Sequence, residues 1–224
     1  MAPSPAAAEQ IRTTNHDFDI VSELSCGRMP DLFQRKLGRT SRIVARTKSL
    51  VMMPTVSPLL VGHLLVFSLS EDVSFANTIH KNFSSFAELS DLIANYEAQF
   101  GPSFIFEHGS SESSPGACGV SRAHIHLIPA NATKSFDIVG KLSEELGLSE
   151  TLSLDEFPIA LVDQEYLVVG SRSSAFNAWK CSNIPSQIIR RLLSTHLGLK
   201  QWNWNELFGW GVVDRTLASW PSQN

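Results

Sequence analysis

The sequence predicts an α+β fold built on an antiparallel sheet. Short runs of alternating apolar character, amphipathic helical stretches between them, and links of hairpin length rather than long crossovers together point there. Helices are expected on one face of the sheet, with a small α+β extension at the C-terminal end. The 224 residues divide on this reading into a flexible tail at 1–12, a main domain at 13–133 and the extension at 134–224. Hydrophobic residues make up 43% and charged residues 18%, enough apolar material for a real core.

Residues 41–46 and 50–53 read as short strands joined by Thr47-Lys48-Ser49, and Pro54 and Pro58 stiffen the connector that follows. Residues 62–69 form the next strand, with Leu64, Val66 and Ser68 on one face and His63, Leu65 and Phe67 on the other. A helix comes next. Ser85 and Glu88 make a capping box, Phe86, Leu89, Leu92, Ile93 and Tyr96 recur at helical spacing, and Gly101-Pro102 stops it. Residues 103–107 begin a strand, 109–119 are a Ser/Gly loop, and 120–128 form a strand ended by Pro129. The extension offers a helix over 134–146 closed by Gly147, then strands at 157–162 and 166–170 flanking the turn Asp163-Gln164-Glu165. A last helix opens at Pro185 and aligns Ile188, Ile189, Leu192, Leu193 and Leu197 before Gly198. Trp202, Trp204, Trp210 and Trp220 read as core and interface anchors.

Several function classes are set aside by composition. A formal charge of −4 argues against wholesale binding to a nucleic-acid backbone. Cys26, Cys118 and Cys181 are widely spaced with no C-x-x-C pair, which argues against a disulfide scaffold or a structural zinc site. No apolar run reaches membrane-spanning length, and the Ala/Pro-rich start lacks the basic and apolar regions of a secretory signal, so a cytoplasmic location is expected. There is no G-x-S-x-G for a serine hydrolase.

The chemistry concentrates in Ser121-Arg122-Ala123-His124-Ile125-His126-Leu127-Ile128-Pro129. On a strand, Arg122, His124 and His126 project together while Ala123, Ile125 and Leu127 point to a core. Neighbours on that face stand about 7 Å apart, close enough to grip one phosphate jointly. Three polar side chains on one strand face need an anion, a metal or water. A neutral imidazole is a competent nucleophile towards phosphorus, and an adjacent arginine favours the neutral form and holds non-bridging oxygens in a planar fork. The rival readings are an exposed strand face with incidental histidines, and a zinc site formed by His124, His126 and His108.

This segment resembles the histidine triad superfamily, whose signature alternates three histidines with apolar residues ahead of a proline. Matched from Pro129, His126 takes the third position, His124 the second and Arg122 the first. Ser57-Pro58-Leu59-Leu60-Val61-Gly62-His63-Leu64-Leu65-Val66 is similar to the family's proline-rich turn and G-H-x-L-V strand, and Phe106-Glu107-His108-Gly109 to the strand end before its glycine-rich loop. The similarity covers residues 39–130; Pro185-Ser186-Gln187 and Trp202-Asn203-Trp204 resemble a bacterial branch with a C-terminal extension.

The resemblance implies hydrolysis or transfer at the α-phosphorus of a nucleotide or nucleotide conjugate, without metal or cofactor. His124 is then the nucleophile, His126 the hydrogen-bonding partner of the phosphate and Arg122 the charge that neutralises it. His63, Glu107, His108, Gly119, Ser121 and Thr55 are the implied substrate contacts, and a homodimer is implied as well. The chain departs from the pattern in four places, one of them the stretch after the G-H-x-L-V strand, where Ser68-Leu69-Ser70-Glu71 stands in place of basic residues. Arg122 replaces the first histidine, Gly119 stands where a Ser or Thr is common, and Thr55 aligns with the acid that binds ribose hydroxyls. A non-catalytic nucleotide-binding module and a biosynthetic enzyme acting on a nucleotide conjugate are therefore the alternatives.

Overall fold

The structure is a computed structural model that describes residues 23–24, 27–111, 122–147, 160–172, 174–200, 202–204 and 208–221. Contacts divide the chain into residues 1–42 and 43–224. In the first unit, helix α1 (Asp31–Leu37) buries Phe33 and Leu37 and ends at Gly38 in the left-handed conformation. Arg42 and Glu23 form a buried ion pair there at 2.8 Å.

The second unit is mixed α and β around a seven-stranded antiparallel sheet. Its strands are β1 (Ala45–Arg46), β2 (Leu50–Pro54), β3 (Leu64–Ser68), β4 (Ser103–Gly109), β5 (His124–Pro129), β6 (Tyr166–Ser171) and β7 (Ser174–Lys180). They lie in the order β1-β2-β3-β5-β4-β6-β7. Between them run α2 (Phe75–Lys81), α3 (Ser84–Phe100), a 3₁₀ turn (Ala130–Thr133) and α4 (Ile138–Leu146), and after β7 come α5 (Ile188–His196) and α6 (Trp210–Ser219). No helix among the described residues is long and apolar enough to cross a membrane.

Helices cover both faces of the sheet, not one as expected. Phe104, Phe106, Ile128, Leu167, Val169 and Trp179 pack with Ile138 and Leu142 of α4 and Ile188, Ile189 and Leu193 of α5. Ile105, Ile125 and Val168 instead line a cleft of about 270 Å³ with Ile79 of α2 and Leu89 and Ile93 of α3. The two groups alternate along β4, β5 and β6, as the pleat requires. The extension adds two strands to the sheet, so the expected boundary at 133/134 does not interrupt it. β6 pairs along β4, with Ile105 opposite Gly170 and His108 opposite Leu167. Without that pairing β4 would be an edge of unpaired backbone groups.

Several local expectations are corrected. α3 begins at Ser84 with no side-chain cap. Glu88 accepts from the Thr47 hydroxyl and the Ser49 N–H instead of closing a capping box. Phe86 is 42% exposed, so the buried stripe of α3 starts at Leu89. Residues 120–121 of one expected strand and 157–159 of another lie outside the described residues, while Leu161 and Val162 are turn rather than strand. The hairpin partner of β6 lies downstream, in β7. Helix α2, unanticipated, is capped by Ser74, whose hydroxyl accepts from the Asn77 N–H.

Gly109 marks the tightest approach in the sheet. A Cβ there would overlap the ring of Tyr166, which is fully buried and fixed by its own hydrogen bonds to Ala76 and Glu107. Gly109→Ala should cost at least about 2 kcal/mol by urea denaturation, with the unfolding slope unchanged.

Candidate functional site

β5 runs between β3 and β4, so its alternating side chains meet two finished surfaces. Ile125 and Leu127 face the helix α3 side; His124 and His126 face the other way, alongside Phe106 and Phe67. His126 stands opposite both Leu65 and Phe106. Its ring stacks on Phe106 at 4.3 Å with 8° between the planes. His124 stands opposite Phe67 and stacks on it at 5.4 Å. These aromatic neighbours hold each imidazole in one orientation.

The proton positions follow from one backbone donor. The Leu59 N–H donates to His63 Nδ1 at 3.1 Å, so that nitrogen carries a lone pair and the His63 proton is on Nε2. His63 Nε2 lies 2.9 Å from His126 Nδ1 and donates to it, which places the His126 proton on Nε2. His124 Nδ1 donates to the Arg122 carbonyl at 2.8 Å, leaving the lone pair of a neutral His124 on Nε2. One face thus presents a lone pair on His124 and a donor on His126, with ring centroids 5.2 Å apart.

Burial keeps these rings neutral. Desolvation pushes the His124 pKa down to about 4, against the raising effect of the Arg122 carbonyl, with His108 and Arg190 lowering it further. His126 and His63 are held well below the ordinary value, first by burial and then by neighbouring positive charge. His63 is placed by Gly62, whose φ of 85° is in the left-handed region and whose Cβ would press on Phe100 and Pro129. The Gly62 N–H donates to the Thr216 hydroxyl at 3.1 Å, and its carbonyl accepts from the Tyr96 hydroxyl at 2.8 Å.

The remaining sequence-derived residues divide. Continuing the β4–β5 register past Phe106 and His126 brings His108 opposite His124. His108 Nε2 donates to Glu165 Oε1 at 3.2 Å, and its buried Nδ1 makes no hydrogen bond. Glu107 faces the opposite side, away from the histidines. It accepts from the Phe75 N–H at 2.8 Å and the Tyr166 hydroxyl at 2.6 Å, and burial raises its pKa to about 7. It anchors the start of α2 and is not brought to the histidine face. Thr55 is buried, its hydroxyl accepting from the Ser57 N–H at 3.4 Å. Arg122 Nη1 donates to the carbonyls of Leu69 and Ser70, at 3.1 and 3.0 Å. Gly119 and Ser121 lie outside the described residues.

Two contributors escaped the sequence reading. Arg190 of α5 acts electrostatically on His63, His124 and His126; it sits at the flank of an apolar stripe, where arginine is ordinarily a solvated neighbour. Glu165 closes the expected turn Asp163-Gln164-Glu165, and nothing in the sequence ties it to His108. No group of three or more His, Cys, Asp or Glu side chains among the described residues is arranged to hold a metal ion. No protein-family model matches the chain, and no curated protein shows significant similarity to it.

Neutral buried histidines make stability depend on pH. Between pH 6.5 and about 4 an unfolded chain binds a proton at His124 that the native chain does not, so stability rises with pH across this window and is lost as pH falls through it. His63, His108 and His126, also lowered, act in the same direction. The His124 shift alone corresponds to about 3 kcal/mol. Glu107, raised to about 7 by burial, opposes this between pH 7 and 4.5, but the four lowered histidines outnumber it, so thermal melts should show a net fall in Tm below pH 6.5. His126→Phe should lessen the fall.

Proposed function

We propose that the chain is a histidine-triad-like enzyme acting at the α-phosphorus of a nucleotide or nucleotide conjugate, with His124 as nucleophile. The observation that carries this reading is the Nδ1–H of His124 donating to the Arg122 carbonyl, which leaves Nε2 unprotonated beside the Nε2–H of His126. A nucleophile and a phosphate-oxygen donor then stand together on one rigid strand.

The His124 Nε2 lone pair forms a bond to phosphorus. The P–O bond to the leaving group breaks, and its electron pair departs on that oxygen, with the His126 Nε2–H donating to an oxygen of the reacting phosphate. Water or another hydroxyl then attacks the same phosphorus, the P–N bond breaks, its pair returns to His124, and the attacking group's proton passes to the departed oxyanion or to solvent. His63 serves as a positioning residue that fixes the His126 tautomer. Arg122 retains Nε and Nη2 for a phosphate oxygen while Nη1 is held by carbonyls. That tether also favours a second reading, a nucleotide-binding module whose arginine is structural.

His124→Asn should lower turnover at least about a thousandfold while the far-ultraviolet spectrum and Tm stay near wild type. Alkaline quenching after incubation with a panel of nucleotides, followed by peptide mass analysis, should find a nucleotidyl adduct on the peptide carrying His124. A folded His124→Asn protein with wild-type turnover removes the nucleophile assignment; nucleotide binding without adduct or turnover selects the binding module.

A further inference from the structure

Arg190 is only 4% exposed, and its hydrogen bonds all end on uncharged oxygens. Nη2 donates to the Ser57 carbonyl at 2.8 Å and lies 3.4 Å from the Ser57 hydroxyl, and Nε donates to the Trp202 carbonyl at 3.3 Å. No carboxylate among the described residues forms an ion pair with it. Burial lowers its pKa to about 10, which leaves it charged at neutral pH. A buried charge without a counter-charge is costly, and proteins retain one where something else compensates it.

The compensating space is adjacent. Arg190 lines a cleft of about 310 Å³ together with Lys200, Asn203 and the apolar Pro58, Leu59 and Leu199. Lys200 is exposed and, among the described residues, is the other charged residue on the wall; none of the described lining residues is Asp or Glu. Two cations facing one cavity run against the balance of a chain with formal charge −4. The histidines do not line this cleft, although Leu59 contributes both to its wall and to the bond with His63.

We infer that this cleft is a binding site for a compact dianion of the phosphate-monoester class, separate from the histidine face. Arg190 offers a planar guanidinium whose Nη1 is not used in the bonds to Ser57 and Trp202, and Lys200 supplies a mobile point charge. A dianion neutralises both cations, whereas a monocarboxylate leaves one uncompensated. The apolar walls limit competing hydration and accept a small non-polar substituent. The inference needs no catalysis at His124.

Calorimetric titration of the full chain with methyl phosphate and with acetate, at a pH where methyl phosphate is doubly charged, tests it. Wild type should bind one equivalent of methyl phosphate at this site, and acetate at least about tenfold more weakly. Lys200→Glu should weaken methyl phosphate at least about tenfold with unchanged Tm, Arg190→Gln should abolish binding, and His124→Asn should bind as wild type does. Because Arg190 also ties Ser57 to Trp202, the exposed Lys200→Glu variant decides the matter if Arg190→Gln fails to fold. The proposal is overturned by absent saturable binding, by equal affinity for acetate, by wild-type affinity in Lys200→Glu, or by loss in His124→Asn.

Discussion

The hydrogen bond from the Leu59 N–H to His63 Nδ1 sets the direction of every proton along the histidine pair. A backbone N–H can only donate, so the ring it meets must accept, and the next ring must accept in turn. Had that contact been a carbonyl, His63 would have reversed, and the His126 proton would have turned inward. The bond itself depends on Gly62, locked between Tyr96 of α3 and Thr216 of α6. Two helices far apart in sequence thus determine which atom of His126 faces outward. The pair is held by packing against Phe106 and by orientation, with no carboxylate among the described residues entering it.

The sheet gives this arrangement its rigidity by committing each face to a different task. On one side, Glu107 meets the start of α2 and Tyr166, and apolar residues of β4 and β5 meet α3. On the other, imidazoles stand at one end of an apolar cluster roofed by α4 and α5. Placing polar rings against a core is expensive unless they are neutral and partnered. Here they are neutral because they are buried, and they are partnered largely by one another and by backbone groups. The same burial that keeps the imidazoles neutral therefore makes the fold sensitive to acid.

What could be read from the sequence was local. The alternation from His124 to Ile128 was legible because a strand central in an antiparallel sheet must sort its residues by face. The His63 strand, the main stripe of α3 and the apolar face of α5 were legible for the same periodic reason. Parity also required Glu107 and His108 to point apart, but only the pairing of Phe106 with His126 decides which of them joins the histidines. That register is non-local information. Arg190, Glu165 and Thr216 act at the site from the extension, through contacts spanning much of the chain, and no spacing rule reaches that far. Strand β7 and helix α2 were missed because neither carries a clear apolar period; β7 pairs along β6, and the start of α2 is held by Glu107.

The insertion of β6 beside β4 has a bearing on how the protein is made. Ile105 pairs with Gly170, and the roof over Phe104, Phe106 and Ile128 is supplied by α4 and α5. During vectorial synthesis, β4 leaves the ribosome well before its partner strand does. Until Tyr166–Ser171 and then Ile188–His196 follow, the nascent chain carries an open sheet edge beside an uncovered aromatic surface, the kind of species that sticks to itself or recruits holding factors. Folding of this unit is therefore a closing event late in translation rather than a stepwise one, and its timing is set by the segment that encodes β6, β7 and α5.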